Sequence, residues 1–258
     1  MNQSSTSGQT ALINDMEMYV EVRGAGEPLI LLHGGGGIGA HWNLIFSEPP
    51  NNYQLIVPDL RGHGKSTNPK KEFTFRQSSL DVFALLDHLG IEQFKAVGMS
   101  LGAKTLLHMA TQQPARVEAM VLVSATPYFP AQARSAMGAL TSETHSEAEW
   151  QQMRAWHPQG DEQIASLWQQ LGALKDSYDD MNFTPPYLGT IAARTLIVHG
   201  DRDPLYPVHL ALEMYAAIPE SYLWVIPNGG HGPIFGKTAA QFIEIVMEFL
   251  QNSWGKKV

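Results

Sequence analysis

A serine between glycines is the strongest chemical feature of this 258-residue sequence. The run Gly98–Gly102, GMSLG, follows the short apolar stretch Phe94–Val97 and leads into a helix-like stretch. A serine on a tight turn between a strand and a helix can act as a nucleophile, and the helix N-terminus favours negative charge beside it. Taken alone, the same pattern also fits a glycine-rich turn in which Ser100 only caps the helix.

A histidine and two aspartates supply the other groups that such a nucleophile needs. A serine hydroxyl is barely ionised at neutral pH, so a base must lie within hydrogen-bond reach. Of the ten histidines, His231 stands between two glycines in a loop after the last predicted strand. Asp201 and Asp203 follow the preceding strand, and either carboxylate could support the base. Structural roles are expected of several other histidines, namely His33, His63, His88, His108, His145 and His157.

Short apolar segments predict the strands that carry these groups. The segment Met16–Val22 alternates apolar and polar residues, which indicates an antiparallel strand, and Asn14-Asp15 before it predicts a hairpin to a short first strand. The remaining segments are mostly apolar, as expected of strands that are buried on both faces of a parallel sheet. They are Leu29–Leu32, Gln54–Val57, Phe94–Val97, Ala119–Val123, Thr195–Val198 and Tyr222–Ile226.

Helical patterns fall between most of these strands. They cover Ser78–Leu89, Leu101–Gln113, Val208–Ala217 and Lys237–Leu250. Alternating strands and helices with short links predict a doubly wound α/β fold with a mostly parallel sheet. The first residues, to about Gly8, are expected to form a loose tail.

One long segment interrupts this alternation. No strand is predicted between Ser124 and Thr195, where prolines open and close a run of helix-like stretches. We therefore expect a helical cap over residues 127–191, inserted into a core formed by residues 1–126 and 192–258. Its aromatic and methionine residues are candidates for an apolar roof over Ser100, although most should only hold the cap to the core. They are Tyr128, Phe129, Met137, Trp150, Met153, Trp156, Trp168, Met181, Phe183 and Tyr187.

The predicted cap also carries most of the net negative charge of the chain. It has 3 basic residues and 8 acidic ones, a balance of −5, against −8 for the whole chain. An acidic cap favours neutral or cationic substrates through its local potential. A solvated helix surface explains the same residues at least as well.

Composition excludes several classes of function. The absence of cysteine removes disulfide scaffolds, zinc-thiolate and iron–sulfur sites, and cysteine nucleophiles. An isoelectric point near 5.6 argues against a nucleic-acid partner. The N-terminus lacks the features of a signal peptide, and no apolar run approaches the length of a membrane span, so we expect a cytoplasmic protein without membrane contact.

Four motifs, in order along the chain, resemble those of the α/β-hydrolase superfamily. The resemblance covers nearly all of the chain outside the predicted cap, and its motifs are His33–Gly37, Asp59–Ser66, Gly98–Gly102, and the pair of loops His199–Pro204 and Gly230–Gly232. It implies an α/β-hydrolase fold with Ser100 as nucleophile and His231 as base. The family pattern G-D-x-D-x-x-x-P implies that Asp203 is the acid, whereas Asp201 would shape its loop.

The resemblance further implies an oxyanion hole formed by the backbone N–H groups of Gly35 and Leu101. In the Asp59–Ser66 turn, we expect Arg61 and Asp59 to pair near the floor of the site. The sequence has no phosphate-binding glycine motif and no cluster of metal-ligand spacing, so we expect no nucleotide, no catalytic metal and no other cofactor.

A serine nucleophile implies acyl transfer to water and excludes the branches of the superfamily that use an aspartate nucleophile. We therefore expect a hydrolase of small-molecule carboxylic esters or lactones, including macrolide-type lactones that carry an amino sugar. A C–C bond hydrolase of the same fold is an alternative, and it would need a cation placed for the carboxylate of its substrate. A ligand-binding member without catalysis is a further alternative, but such proteins usually show a damaged triad.

Overall fold

One sheet of eight strands runs through the described part of the molecule. The computed structural model describes residues 7–141, 143 and 145–254. The strands are β1 (Ser7–Ile13), β2 (Met16–Gly24), β3 (Glu27–Leu32), β4 (Tyr53–Pro58), β5 (Phe94–Met99), β6 (Val117–Val123), β7 (Arg194–Gly200) and β8 (Ser221–Ile226). Their order across the sheet is β1-β2-β4-β3-β5-β6-β7-β8.

The sheet is parallel except at the edge formed by β1 and β2. β2 pairs antiparallel with β1 and with β4, and all the later neighbours pair in parallel. Because β3 to β8 run in the same direction, the loops after their carboxyl ends lie along one edge of the sheet. Ser100 follows β5, Asp203 follows β7 and His231 follows β8, so the topology brings all three to that edge.

Eight helices accompany the strands of the described residues. They are α1 (Phe75–His88), α2 (Leu101–Gln112), α3 (Ala131–Gly138), α4 (Glu147–Trp156), α5 (Asp161–Ala173), α6 (Pro185–Leu188), α7 (Val208–Ala217) and α8 (Ala239–Leu250). One core cluster joins the sheet to α1, α2 and α7, and a second joins its other face to α8. None of these helices combines the length and the apolar character needed to cross a bilayer.

Helices α3 to α6 occupy the interval between β6 and β7 where a cap is predicted. Ser146 begins α4 with a capping box, in which its Oγ accepts the Glu149 N–H at 3.3 Å and the Glu149 carboxylate accepts the Ser146 N–H at 2.7 Å. Tyr128 and Asn182 form an isolated β-bridge within the interval. The bounds 127–191 for a separate cap domain stay a prediction.

The predicted α/β fold is confirmed, with differences at the ends of elements. Helix α1 begins at Phe75 instead of Ser78 because Thr74 caps it, accepting the Gln77 N–H at 3.0 Å. The expectation of a loose tail to Gly8 is wrong at its end, since β1 already includes Gly8 and pairs with β2. The rest of that tail, residues 1–6, lies outside the described residues.

Candidate active site

Ser100 occupies a strained turn between β5 and α2. Its backbone has φ 50° and ψ −106°, a combination that residues other than glycine rarely adopt. A β-carbon at Gly102 would lie 2.3 Å from the carbonyl oxygen of Leu32, and one at Gly98 would lie 2.7 Å from the amide nitrogen of Ala103. Only glycine fits at these two positions, so the glycines let strand and helix pack closely around the turn.

The side chains of Ser100, His231 and Asp203 form one hydrogen-bonded line. Nε2 of His231 lies 2.8 Å from Oγ of Ser100, and its Nδ1 lies 2.8 Å from Oδ2 of Asp203. With Asp203 ionised, Nδ1 carries the ring proton and donates a hydrogen bond to the carboxylate. Nε2 is then unprotonated and accepts a hydrogen bond from the serine hydroxyl. The line can therefore take the proton of Ser100 while its oxygen attacks an electrophile.

Asp203, and not Asp201, is the carboxylate in contact with His231. Asp203 is 8% exposed, and its Oδ1 accepts the N–H groups of Leu205 at 2.8 Å and Tyr206 at 3.1 Å. Burial raises the pKa of Asp203, but the hydrogen bonds from His231 and the two backbone N–H groups outweigh it and leave the pKa below its usual value. Asp201 is exposed on the same loop.

Ser124, at the end of β6, anchors the loop of the candidate base. Its hydroxyl donates to the carbonyl oxygen of His231 at 2.7 Å, and its backbone N–H donates to Val198 of β7 at 2.9 Å. This contact restrains the backbone of His231 while its ring bridges the serine and the acid. Ser124 has no predicted role, because the contact spans 107 residues of chain and leaves no local sequence pattern.

The backbone N–H groups predicted for the oxyanion hole have no hydrogen-bond acceptor among the described residues. They belong to Leu101, the first residue of α2, and to Gly35, in the glycine loop (Gly34–Gly37) that follows β3. The loop lies against the serine turn: a β-carbon at Gly34 would lie 3.7 Å from Cβ of Ser100, and the Gly102 N–H donates to the carbonyl of His33 at 3.0 Å. Gly35 and Leu101 are the two residues predicted for the oxyanion hole.

His63 and His157 contact the glycine loop, although the sequence analysis treated both as structural. The Gly36 N–H donates to Nε2 of His63 at 3.1 Å, and Nε2 of His157 donates to the Gly36 carbonyl at 3.2 Å. Burial holds the pKa of both imidazoles below its usual value, so both are neutral. No signal in one sequence reveals these contacts, because they join residues 27 and 121 positions apart.

Lys104 is a buried cation near the triad that the sequence analysis did not single out. It is 2% exposed and donates to the hydroxyl of Tyr206 at 2.9 Å. The ring centroid of Tyr206 lies 5.2 Å from that of His231, and the ammonium lies 5.5 Å from the Phe129 ring. Burial lowers the pKa of Lys104 to about 7. Its sequence signal is its place in the first turn of the helix that follows Ser100, which keeps it close to the nucleophile turn.

The predicted pairing of Arg61 with Asp59 is wrong. Arg61 is 1% exposed and binds Asp81 through two N–H groups at 2.7 and 2.8 Å, and Asp15 through a third at 2.7 Å. Asp59 instead accepts two backbone N–H groups at 2.8 and 2.9 Å, and burial raises its pKa. Arg61 therefore ties the turn to α1 and to the first hairpin, while Asp59 closes the turn itself.

A mostly apolar pocket of about 380 Å³ borders the glycine loop. Besides the loop and His41, its lining includes Trp42, Leu44, Met99, Trp156 and Phe235. Met99 immediately precedes Ser100, so the pocket lies beside the nucleophile turn. Of the predicted roof residues, Trp156 lines this pocket, whereas others pack within the insertion or into the main core, namely Phe129, Met137, Trp150, Met153, Trp168, Met181 and Phe183.

The acidic residues of the insertion do not line this pocket. Seven of the eight are exposed: Glu143, Glu147, Glu149, Asp161, Glu162, Asp176 and Asp179. The eighth, Asp180, accepts the N–H groups of Phe75 and Arg76 at the start of α1. The acidic residues of the insertion therefore do not favour a cationic substrate at this pocket.

The described residues contain no group of three or more histidine, aspartate or glutamate side chains placed to hold a metal ion. The expectation that the protein uses no metal and no other cofactor stays a prediction.

Comparison with known proteins finds a similar sequence and two solved structures with a similar fold. The 2-hydroxymuconate semialdehyde hydrolase of Pseudomonas sp. (strain CF600) is 28% identical over 254 residues, which cover 89% of this chain and 89% of the relative. A meta-cleavage product hydrolase from Pseudomonas fluorescens IP01 has a TM-score of 0.79 at 21% identity, over 96% of this chain and 98% of that one. A thermophilic esterase from Thermogutta terrifontis has a TM-score of 0.76 at 22% identity, over 95% and 98% of the two chains.

The profile of one protein family also matches most of the chain. It describes the alpha/beta hydrolase fold, and it matches residues 27–238. That range contains the glycine loop, the serine turn and the loops of Asp203 and His231. The chain belongs to the α/β-hydrolase family.

Proposed function

We propose that this protein is a serine hydrolase that cleaves a carboxylic ester or a lactone through an acyl-enzyme. The observation that carries the proposal is the unbroken line from Ser100 through His231 to Asp203, next to the unpaired N–H groups of Gly35 and Leu101. Acyl transfer requires a nucleophile, a base oriented toward it and hydrogen-bond donors for the oxyanion, and this arrangement offers all three.

The reaction proceeds in two halves. Ser100 Oγ attacks the ester carbonyl carbon while His231 takes its proton, and the oxyanion accepts hydrogen bonds from Gly35 and Leu101. The intermediate collapses to an acyl-enzyme, and His231 returns the proton to the departing alcohol. His231 then takes a proton from a water molecule as its oxygen attacks the acyl carbon. The bond to Ser100 Oγ breaks, His231 returns the proton to that oxygen, and the acid leaves. With a lactone, the alcohol stays attached to the acyl chain, and the product is an open hydroxy acid.

The pocket beside the glycine loop bears on the substrate. No carboxylate, lysine or arginine side chain lines this pocket, and its volume of about 380 Å³ suits an apolar group of moderate size. A charged group would lose its water there without a partner, which favours a neutral ester or lactone. A bulky macrolide-type lactone would extend beyond this pocket, and it is the larger member of the proposed substrate class.

A C–C bond hydrolase is the second candidate. The names of one relative, a 2-hydroxymuconate semialdehyde hydrolase, and one structural neighbour, a meta-cleavage product hydrolase, favour it. Lys104 also places a buried amine near the triad, and its protonated form would suit a substrate carboxylate. Its ammonium, however, contacts Tyr206 and aromatic rings and does not line the described pocket, so ester cleavage is the first proposal.

Steady-state hydrolysis of a substrate panel tests this function. The panel runs from short and long p-nitrophenyl esters to an amino-sugar macrolactone and a ring-cleavage dienoate, with wild type, Ser100→Ala and the control Ser166→Ala. Ser166 lies on α5 and accepts a hydrogen bond from Gln170, away from the triad. We expect ester or lactone turnover that Ser100→Ala lowers by about 10³-fold or more and Ser166→Ala retains. Turnover of the dienoate alone would favour the second candidate.

A further inference from the structure

The glycine loop after β3 is held by an imidazole at three successive peptide groups. Nδ1 of His33 donates to the Gly34 carbonyl at 2.8 Å, the Gly36 N–H donates to Nε2 of His63 at 3.1 Å, and Nε2 of His157 donates to the Gly36 carbonyl at 3.2 Å. All three histidines are buried. They come from three separate segments: the end of β3, the turn after β4 and the residue after α4.

These contacts fix the direction of the Gly35 N–H, one of the two candidate oxyanion donors. A peptide group is planar, so the Gly34 carbonyl and the Gly35 N–H point in opposite directions. His33 and the Gly37 N–H, at 3.0 Å, both hold the Gly34 carbonyl. The other two imidazoles hold the next two peptide groups, so the loop is restrained on both sides of the donor.

His157 differs from the other two imidazoles because it belongs to the helical insertion. Its Nδ1 accepts the Gly64 N–H at 2.8 Å, so the ring bridges the turn after β4 and the glycine loop. Leu171, also from the insertion, packs on the loop: a β-carbon at Gly35 would lie 3.1 Å from its Cδ2. The insertion therefore contacts the residue that carries the candidate donor and also holds its neighbour.

We propose that His157 is a positioning residue of the oxyanion hole, through which the seating of the helical insertion sets the placement of the Gly35 N–H. The inference rests on the proposed serine-hydrolase function. It makes the insertion part of the catalytic apparatus as well as a cover. When the insertion moves away, the Gly36 carbonyl loses its imidazole donor and Gly35 loses its contact with Leu171, so the loop that carries the Gly35 N–H is less restrained.

Both bonds of His157 set requirements on any replacement. One atom must accept the Gly64 N–H, and another must donate to the Gly36 carbonyl. Glutamine has an oxygen and an N–H₂ group and the length to serve both. Asparagine is shorter, so it can serve Gly64 and not Gly36, and leucine can serve neither.

The test compares His157→Gln, His157→Asn and His157→Leu with wild type. Two rates are measured: the covalent labelling of Ser100 by a fluorophosphonate, which needs the nucleophile and the hole, and ester hydrolysis with kcat and KM separated. We expect His157→Asn and His157→Leu to lower both the labelling rate and kcat by about 10- to 100-fold, with KM within about threefold. His157→Gln should stay within about threefold of wild type.

His145→Leu is the matched control within the insertion. The ring of His145 stacks on Trp168 at 3.8 Å, and among the described contacts it has no hydrogen bond to the glycine loop. We expect this variant to keep wild-type kcat and labelling, even where its thermal unfolding temperature falls.

The rank order of the variants decides the inference. The inference is supported if wild type and His157→Gln have higher labelling rates and kcat than His157→Asn and His157→Leu. Every other order overturns it, including equal rates for His157→Asn and His157→Gln. If the leucine variant fails to fold, the comparison of Asn with Gln decides. Full labelling in all variants overturns this inference and leaves the proposed function standing, whereas a wild type that neither labels nor hydrolyses overturns both.

Discussion

On one side of Ser100 lie the side chains of His231 and Asp203, and on the other lies the backbone of the glycine loop. In the proposed mechanism the triad side works through charge, because an ionised Asp203 orients a histidine that gains and loses a proton. The loop side works through neutral groups, since buried imidazoles such as His157 each accept one N–H and donate one. The same residue type thus has opposite requirements on the two sides of the site.

The difference lies in what surrounds each imidazole. His231 faces a carboxylate and the serine hydroxyl and is partly exposed, so proton transfer to it is supported. The loop imidazoles face backbone amides in the interior, where burial disfavours the charged form and lowers the pKa of His33 to about 3. Substitutions on the triad side should therefore lower kcat, whereas a fall in pH should lower the stability of the fold through the imidazoles of the loop side.

The largest expected effect comes from removing the charge on the triad side. Asp203→Asn keeps the shape of the acid but favours the wrong proton arrangement on His231, and we expect kcat to fall by about 10⁴-fold. Asp201→Asn alters an exposed side chain on the same loop, and its kcat should stay within about threefold of wild type. Steady-state kinetics on one ester substrate measures both, and a larger loss in Asp201→Asn would reverse the assignment of the acid.

A smaller effect is expected from the turn that supports the loop side. Arg61→Met leaves the buried carboxylate of Asp81 with only the neutral donors Asn14 and Gln77, and we expect a loss of about 3–5 kcal/mol in the free energy of unfolding. Lys71→Met removes an exposed ion pair with Glu162, and it should leave the free energy of unfolding nearly unchanged. Urea denaturation compares the two, and equal losses would contradict the structural weight given to Arg61.

The smallest effect is the pH dependence of stability, which isolates one imidazole of the loop side. Burial keeps His157 neutral in the folded protein, with Asp59 and His41 as the titratable groups that act on it. In the unfolded chain His157 takes up a proton as the pH falls below about 6.5, and in the folded protein it does not. The free energy of unfolding therefore decreases as the pH decreases.

His157→Gln removes this contribution and should flatten the slope of the unfolding free energy between pH 6.5 and 5 by up to about 1.4 kcal/mol per pH unit. Urea denaturation at four or five pH values measures the slope. Equal slopes for wild type and His157→Gln would mean that this imidazole is not held neutral by its surroundings.

The triad side was the more predictable half of the site. Each of its residues follows the carboxyl end of a strand, so short motifs with turn glycines are enough to indicate Ser100 and the loops of the other two groups. The choice of Asp203 over its neighbour came from the family pattern. The partners of Arg61, the buried site of Lys104 and the contacts of His157 could not be predicted, because each depends on how distant segments pack.

Trapping the acyl-enzyme tests the central claim most directly. Wild type is mixed with a slowly hydrolysed ester, quenched in acid during turnover, and measured by intact mass and peptide mapping, with Ser100→Ala alongside. We predict a mass increase equal to the acyl group, located on the peptide that contains Ser100, and neither adduct nor turnover in the variant. Turnover that persists in folded Ser100→Ala, or an adduct on another residue, would contradict the account.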